Sequence, residues 1–317
     1  GCENEEIEII DRWQQTVTLN GVHKDNSAFH IINENSIWVV GEKIWKYDGV
    51  LWNIVQNPTD NPLISVSGSS DEDIWILSDV PTSVNGGLAN NSQLWNWNGY
   101  EWKNNNLINS TIYSLHVIDF QTIVLGGSGY IYISYDAGNT WVNYRIPLDS
   151  SCDSKRVLEI TGGINNLFIS LSCGDLAEFN GVSWNIYSNG GPFGSGVGEI
   201  DYSDNVNYAI FYSASNVTPV FGYYYLKKYQ NQEIFESIDI STALFENPTS
   251  DQAQAALRNA SFDVPGKIFF GFDNIYSYDG NEWKQETDMN QNIRVIQMLD
   301  NNRGWAITDN EIVLKRN

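Results

Sequence analysis

Ile37-Trp38-Val39-Val40-Gly41-Glu42-Lys43-Ile44-Trp45-Lys46-Tyr47-Asp48-Gly49-Val50-Leu51-Trp52 decides the architecture. It opens on a β-branched, aromatic run, passes a polar turn, and then closes an aromatic hairpin through Asp48-Gly49, a dipeptide suited to tight hairpin turns. Its end recurs along the chain. Trp97-Asn98-Gly99 leads to Trp102, Tyr135-Asp136-Ala137-Gly138 to Trp141, Phe179-Asn180-Gly181 to Trp184, and Tyr278-Asp279-Gly280 to Trp283. A turn and a tryptophan that return every 40 to 50 residues or so mark one supersecondary unit copied around a ring or along a solenoid.

Each unit reads as four short strands: an apolar inner strand, a β-rich strand, and the two strands of the aromatic hairpin. The fourth strands are anchored by Trp52, Trp102, Trp141, Trp184, Phe235 and Trp283, with Phe235 the degenerate member, reached from Tyr229 through Gln230-Asn231. A last unit starts near Ile293 and stops at Asn317 after three strands. Its missing strand stands at the front of the chain, where Trp13 opens a stretch with the tryptophan and alternation of a fourth strand. A ring pairs these two incomplete ends and leaves no open edge, whereas a solenoid does not. The expected fold is therefore all-β: a seven-bladed β-propeller of four-stranded blades, closed by the strand around Trp13, with six blades as the alternative. Seven blades over 317 residues gives about 45 residues per blade, a usual span. Residues 1–9 form a tether and 10–317 one domain. Helical patterning is confined to Ser250–Leu257, where a Ser cap precedes an alanine-rich stretch.

Ser134-Tyr135-Asp136-Ala137-Gly138-Asn139-Thr140-Trp141 resembles the Asp-box of BNR-repeat propellers, and the other units resemble the related bacterial repeat with its Tyr-Asp-Gly-x-x-Trp hairpin. The resemblance implies a fold and a structural role for Asp136 in its turn; it names no ligand, because Asp boxes occur in enzymes, glycan binders and receptors alike. Gly1-Cys2 followed by Glu3-Asn4-Glu5-Glu6 resembles the start of a mature bacterial lipoprotein, with Cys2 as the lipidated residue, and the acidic run resembles export tethers of Bacteroidetes surface lipoproteins. This implies an extracytoplasmic protein held at the outer membrane by lipid alone. Cys152 enters the fourth unit and Cys173 follows its second strand. Both connections open on one face of the ring, so a Cys152–Cys173 disulfide is expected, with two separate thiols as the alternative.

Strand alternation puts the second-to-third and fourth-to-first connections on one face and the hairpin turns on the other. The long segments Asp79–Asn91, Asn189–Gly198, Ser213–Gly222 and Ile240–Gln254 all fall on the first face, which is where recognition is expected. Phe193, Phe221, Tyr223 and Phe245 are the candidate binding residues there, able to stack on sugars or to anchor a protein.

Seventeen basic against 39 acidic residues, a net charge of −22, disfavours nucleic acid as a partner. The three histidines, His23, His30 and His116, lack metal spacing; His30 and His116 fall on inner strands as core residues. No cofactor is expected; acidic turns such as Ser70-Asp71-Glu72-Asp73 have the charge to hold calcium, the alternative here, but lack the spacing of a calcium loop and read as solvated turns. Sialidases of this architecture, by the family resemblance, use an arginine triad, a tyrosine–glutamate pair and an acid. The arginines here are Arg12, Arg145, Arg156, Arg258, Arg294, Arg303 and Arg316, and Arg145-Ile146-Pro147 ends the third unit instead of opening the first. The expected function is a non-enzymatic, monomeric propeller that binds a glycan or protein on its long-loop face; the alternative is a polysaccharide-active hydrolase or lyase.

Overall fold

The computed structural model describes residues 12–22, 28–84, 87–105, 110–148, 156–173, 175–187, 196–203, 206–214, 222–230, 233–239, 260–263, 267–271, 273–279, 283–300 and 302–316. The stretch 250–257, expected as a short helix, lies outside them.

The chain begins with β1 (Trp13–Thr18) and continues through six sheets made of consecutive strands. Sheet I holds β2 (Ala28–Asn33), β3 (Ser36–Val40), β4 (Ile44–Tyr47) and β5 (Trp52–Val55). Sheet II holds β6 (Leu63–Ser70), β7 (Asp73–Val84), β8 (Gly87–Trp97) and β9 (Trp102–Asn105). Sheet III holds β10 (Ser114–Val117), β11 (Ile123–Gly126), β12 (Tyr130–Ser134) and β13 (Val142–Arg145). Sheet IV holds β14 (Val157–Thr161), β15 (Leu167–Leu171), β16 (Leu176–Phe179) and β17 (Trp184–Tyr187). Sheet V holds β18 (Gly196–Ser203), β19 (Val206–Ala214), β20 (Gly222–Gln230) and β21 (Glu233–Asp239). Sheet VI holds β22 (Ala260–Asp263), β23 (Lys267–Gly271), β24 (Ile275–Tyr278) and β25 (Trp283–Gln285). Sheet VII combines β26 (Ile293–Met298), β27 (Gly304–Thr308) and β28 (Ile312–Arg316) with β1 as its fourth strand.

These seven four-stranded sheets are the blades of a β-propeller. Their first strands neighbour one another in the order β2, β6, β10, β14, β18, β22, β26, and β26 returns to β2. Pairing of β1 with β28, from Trp13↔Arg316 to Thr18↔Ile312, closes the ring. Beyond β1 the joint continues, since Leu19 N–H donates to the Glu311 carbonyl at 2.8 Å and the Glu311 carboxylate accepts from the N–H groups of Gly21 and Val22.

The core lies between sheets, and sheet I shows how a sheet buries both of its faces against its neighbours. In β3, Ile37 and Val39 pack with Trp305, Ile307 and Val313 of sheet VII, while Trp38 and Val40 pack with Leu63, Val66, Ile74 and Ile76 of sheet II. The second strands β3, β11, β15 and β27 are accordingly buried along their whole length. Trp38 meets Trp97 and Trp102 with ring centroids 6.4 Å away in each case, so aromatic pairs of sheet II grip the neighbouring blade.

Side-chain to backbone hydrogen bonds tie adjacent inner strands. His30 Nε2 lies 2.8 Å from the Gly68 carbonyl and His116 Nε2 lies 2.9 Å from that of Gly162. Ser67 Oγ accepts from Val117 N–H, Ser114 Oγ donates to the Val157 carbonyl, Ser261 Oγ accepts from Met298 N–H, and Gln297 Oε1 accepts from Ile31 N–H. Burial pushes the His30 imidazole down to about 4 and lowers His116 in the same direction, so at neutral pH both are uncharged, with Nε2–H donating.

The recurring tryptophans mark a fixed place. Trp52, Trp102, Trp184, Trp283 and Trp13 are each the first residue of a fourth strand, and Trp141 directly precedes β13; Phe235 lies within β21. The turn ahead of them is self-sufficient. Asp48 Oδ1 accepts from Val50 and Leu51 N–H, Asn98 Oδ1 from Tyr100 and Glu101, and Asn180 Oδ1 from Val182 and Ser183. Gly49, Gly99 and Gly181 have φ of +92°, +91° and +88°, a region that glycine enters without strain. In the turn from Ser134 to Thr140, Asp136 accepts from the Thr140 hydroxyl and N–H at 2.7 Å each and from Ser134 Oγ at 2.9 Å, which holds its carboxyl below the ordinary range.

Candidate functional site

The two faces of the ring are assembled from different kinds of connection. In sheet I the second and third strands pair from Ile37↔Tyr47 to Val40↔Ile44 and then turn. In sheet II the equivalent hairpin runs from Ile74↔Trp97 to Val84↔Gly87, and in sheet V from Asn207↔Tyr229 to Ala214↔Gly222. Asp79–Asn91, expected as an irregular insertion, is therefore a regular two-stranded ribbon continuing β7 and β8 beyond their sheet. Pro81 and the Ser/Asn content hid it, because antiparallel pairing is made by backbone groups and tolerates a proline whose missing N–H points away from the partner strand. Asp79 N–H donates to the Pro62 carbonyl and so points to the inner edge. Two residues on, Pro81 lacks a donor on that same edge, which blunts it against unwanted strand pairing.

Sheets II and V stand three places apart in the ring of seven. Their hairpins thus stand on well-separated sides of one face, β7–β8 running six residue pairs beyond the pairing with β6 and β19–β20 two pairs beyond that with β18. Asp79 sits at the root of the first, where burial raises its carboxyl pKa. Between the hairpins, at the seam of sheets III and IV, the Arg156 guanidinium lies 5.3 Å from the Tyr113 ring. Its backbone is fixed by Ser172, whose Oγ accepts from Arg156 N–H at 3.1 Å and whose N–H donates to the Arg156 carbonyl at 2.9 Å. Ser110 and Tyr132 hydroxyls meet at 2.9 Å nearby. Cys173, one residue beyond Ser172, is disulfide-bonded; Cys152 lies outside the described residues.

Of the residues expected to bind, Phe193, Phe221 and Phe245 lie outside the described residues, as does Cys2. Tyr223 contributes its backbone to β20, opposite Ser213. Large exposed apolar side chains among the described residues concentrate on the other face. Val50, Leu51, Tyr100, Phe120, Tyr135 and Val182 all occupy tight turns there, with Tyr100 at 87% and Val182 at 89% exposure. On the long-loop face stand Tyr130 and Leu158, at 37% and 48%. The signal was present in sequence, as the residue following Asp-Gly or Asn-Gly in three units is Val50, Tyr100 and Val182.

The charged groups are dispersed. Arg294 binds Asp309 through Nε at 2.7 Å, Arg303 binds Asp300 and Glu34, and the fully buried Arg316 binds Glu286 at 3.1 Å. Glu286 also accepts from Ser277 Oγ at 2.7 Å and pairs with Lys267 at 3.5 Å. Burial opposes its ionisation, but the Ser277 hydroxyl, Arg316 and Lys267 together outweigh that and lower its pKa. Asp71 is occupied by Ser36, Trp38 and Lys46, and Asp73 by Ser69, Trp75 and Asn96. Among the described residues no group of three or more His, Cys, Asp or Glu is placed to hold a metal ion.

No protein-family model matches the sequence, and no curated protein matches it. Solved structures do match in fold. A streptogramin B lyase aligns with TM-score 0.68 at 14% identity, covering 96% of each chain. YCF48 from Cyanidioschyzon merolae aligns with TM-score 0.67 at 15% identity, covering 96% of this chain and 98% of that one. YCF48 bound to a D1 peptide aligns with TM-score 0.66 at 12% identity, covering 96% of each. At these identities the likeness is one of fold, the β-propeller.

Proposed function

We propose that this chain is a non-enzymatic, extracytoplasmic propeller, anchored by lipid at Cys2, that receives a protein partner as an extended segment on its long-loop face. The observation that carries the reading is the pair of hairpins, β7–β8 and β19–β20, which stand on well-separated sides of that face and between which the segment would lie as in a cleft. Recognition commonly sits on such extensions of a rigid scaffold. A propeller of similar fold binding a peptide supports a peptide ligand over a glycan. The net charge of −22 favours a cationic segment. A Cys152–Cys173 disulfide, locking the loop that enters sheet IV, fits an oxidising compartment.

Random-peptide display, run against the intact protein and against a variant with residues 80–91 replaced by an Asn-Gly turn, tests the reading. Lys/Arg-rich peptides lost on shortening the hairpin are the expected result. Peptides indifferent to the shortening would remove the cleft from the account, and glycan-array ligands that are cleaved on incubation would replace it with the hydrolase or lyase alternative. Thiol titration of unfolded, unreduced protein should find Cys152 and Cys173 unreactive.

A further inference from the structure

We infer that the tight-turn face is the membrane-proximal face of the tethered protein, its exposed apolar turn tips resting in the interfacial layer of the bilayer, so that the long-loop cleft is presented outward. The inference rests on the lipid-anchoring reading. Its first support is strand direction. Gly304, which follows the tight turn of Asp300–Arg303, pairs with Arg316, and Arg316 pairs with Trp13. Trp13 therefore enters the ring at its tight-turn face, and Arg12 and everything before it leave from there.

The tether alone does not fix orientation. Ten residue-to-residue steps lead from Cys2 to Arg12, and at roughly 3.3–3.6 Å per step they reach at most about 36 Å, enough for the ring to stand on its side. The apolar tips break this ambiguity. Val50, Tyr100 and Val182 project from turns whose backbone is already satisfied by Asp48, Asn98 and Asn180, so packing and turn formation account for none of them. They recur at the same place in blades I, II and IV, with Phe120 and Tyr135 exposed on blade III between them. A row of separate aromatic and aliphatic tips on the turns of one face, each flanked by a turn polar group, suits the interface between headgroups and acyl chains, where amphipathic groups partition. Turn carboxylates such as Asp48 and Asp119 accompany the tips, which favours a zwitterionic surface over an anionic one.

The test uses the full chain with Cys2→Ser and an N-terminal hexahistidine, held on phosphatidylcholine vesicles containing a nickel-chelating lipid. Environment-sensitive dyes are placed singly at Tyr100→Cys, Val182→Cys, Glu42→Cys or Ser128→Cys, and a headgroup-nitroxide lipid serves as quencher. Quenching several-fold stronger at positions 100 and 182 than at 42 and 128 is expected. Equal quenching, or the reverse order, would overturn the inference. With the dye at Phe120→Cys, the combined Val50→Ser, Tyr100→Ser and Val182→Ser variant should lose most of its quenching; unchanged quenching would show that a protein-free bilayer is not what the tips meet. Labelled-fatty-acid incorporation at Cys2 in cells examines the anchoring by itself, since the artificial tether gives the orientation whether or not Cys2 is acylated.

Discussion

The tight-turn face and the long-loop face follow different rules. On the first, an Asp or Asn caps the same turn in blade after blade, a glycine supplies the positive φ, and an aromatic residue resumes the next strand. On the second, the ribbon from Ile74↔Trp97 to Val84↔Gly87 faces plain connections such as Gly41–Lys43 in the neighbouring blade. Local chemistry therefore repeats where the chain must reverse direction tightly, and length varies where it need not. Among the described residues, exposed apolar turn residues gather on the repetitive face, so each face carries a feature that folding alone does not require: tips on one, extended hairpins on the other.

The comparison can be broken first at the joint between chain ends. Trp13 is 2% exposed, and Trp13→Ala should cost about 3–5 kcal/mol, the range for truncating a large buried aromatic. Urea unfolding followed by circular dichroism measures it; a loss no greater than that for the half-buried Trp52→Ala would mean that β1 does not bear the closure. Next comes Glu286→Gln, which removes the carboxylate charge that faces the buried Arg316 guanidinium and should cost on the order of 3 kcal/mol. Because the Glu286 pKa is lowered on folding, its contribution is present above the unfolded carboxylate pKa and fades as pH falls through the folded value.

His30 gives a comparable effect through pH. Its folded pKa of about 4 lies below the unfolded 6.5, so the unfolded state takes up the proton first. Stability should be level above that unfolded value and decline as pH falls toward the folded one, by up to roughly 3 kcal/mol from this residue. His30→Gln keeps a donor for the Gly68 carbonyl and should flatten the decline, His116 supplying the remainder; an unchanged slope would remove His30 as its source. The smallest effect is expected at the tips. Combined Val50→Ser, Tyr100→Ser and Val182→Ser substitution should alter stability by under about 1 kcal/mol, as these side chains touch no core.

Sequence carried the periodic part of this molecule and lost the rest for physical reasons. Trp13 is assigned to the last blade by sequence alone, because its alternation and the incomplete C-terminal unit both require it. Asp136 and Asp48 could be read as turn residues, because an Asx side chain accepts from the backbone two and three residues on. The β7–β8 extension was illegible. A ribbon outside the core has no buried face to impose alternation, and Pro81 counted against a strand whose pairing it leaves intact. Long-loop aromatics such as Phe193, Phe221 and Phe245 stand out by chemistry alone, whereas Tyr100 and Val182 stand out only by position, since a residue after Asn-Gly has no interior to enter.

Hydrogen–deuterium exchange on vesicle-tethered protein, with and without a peptide selected by display, tests the division of labour between faces most directly. Tethering should slow exchange at Val50, Leu51, Tyr100 and Val182 and leave Asp79–Asn91 unchanged, while added peptide should slow Asp79–Asn91 and leave the tips unchanged. Protection of the same segments by bilayer and peptide, or exchange of the two patterns, would contradict the account.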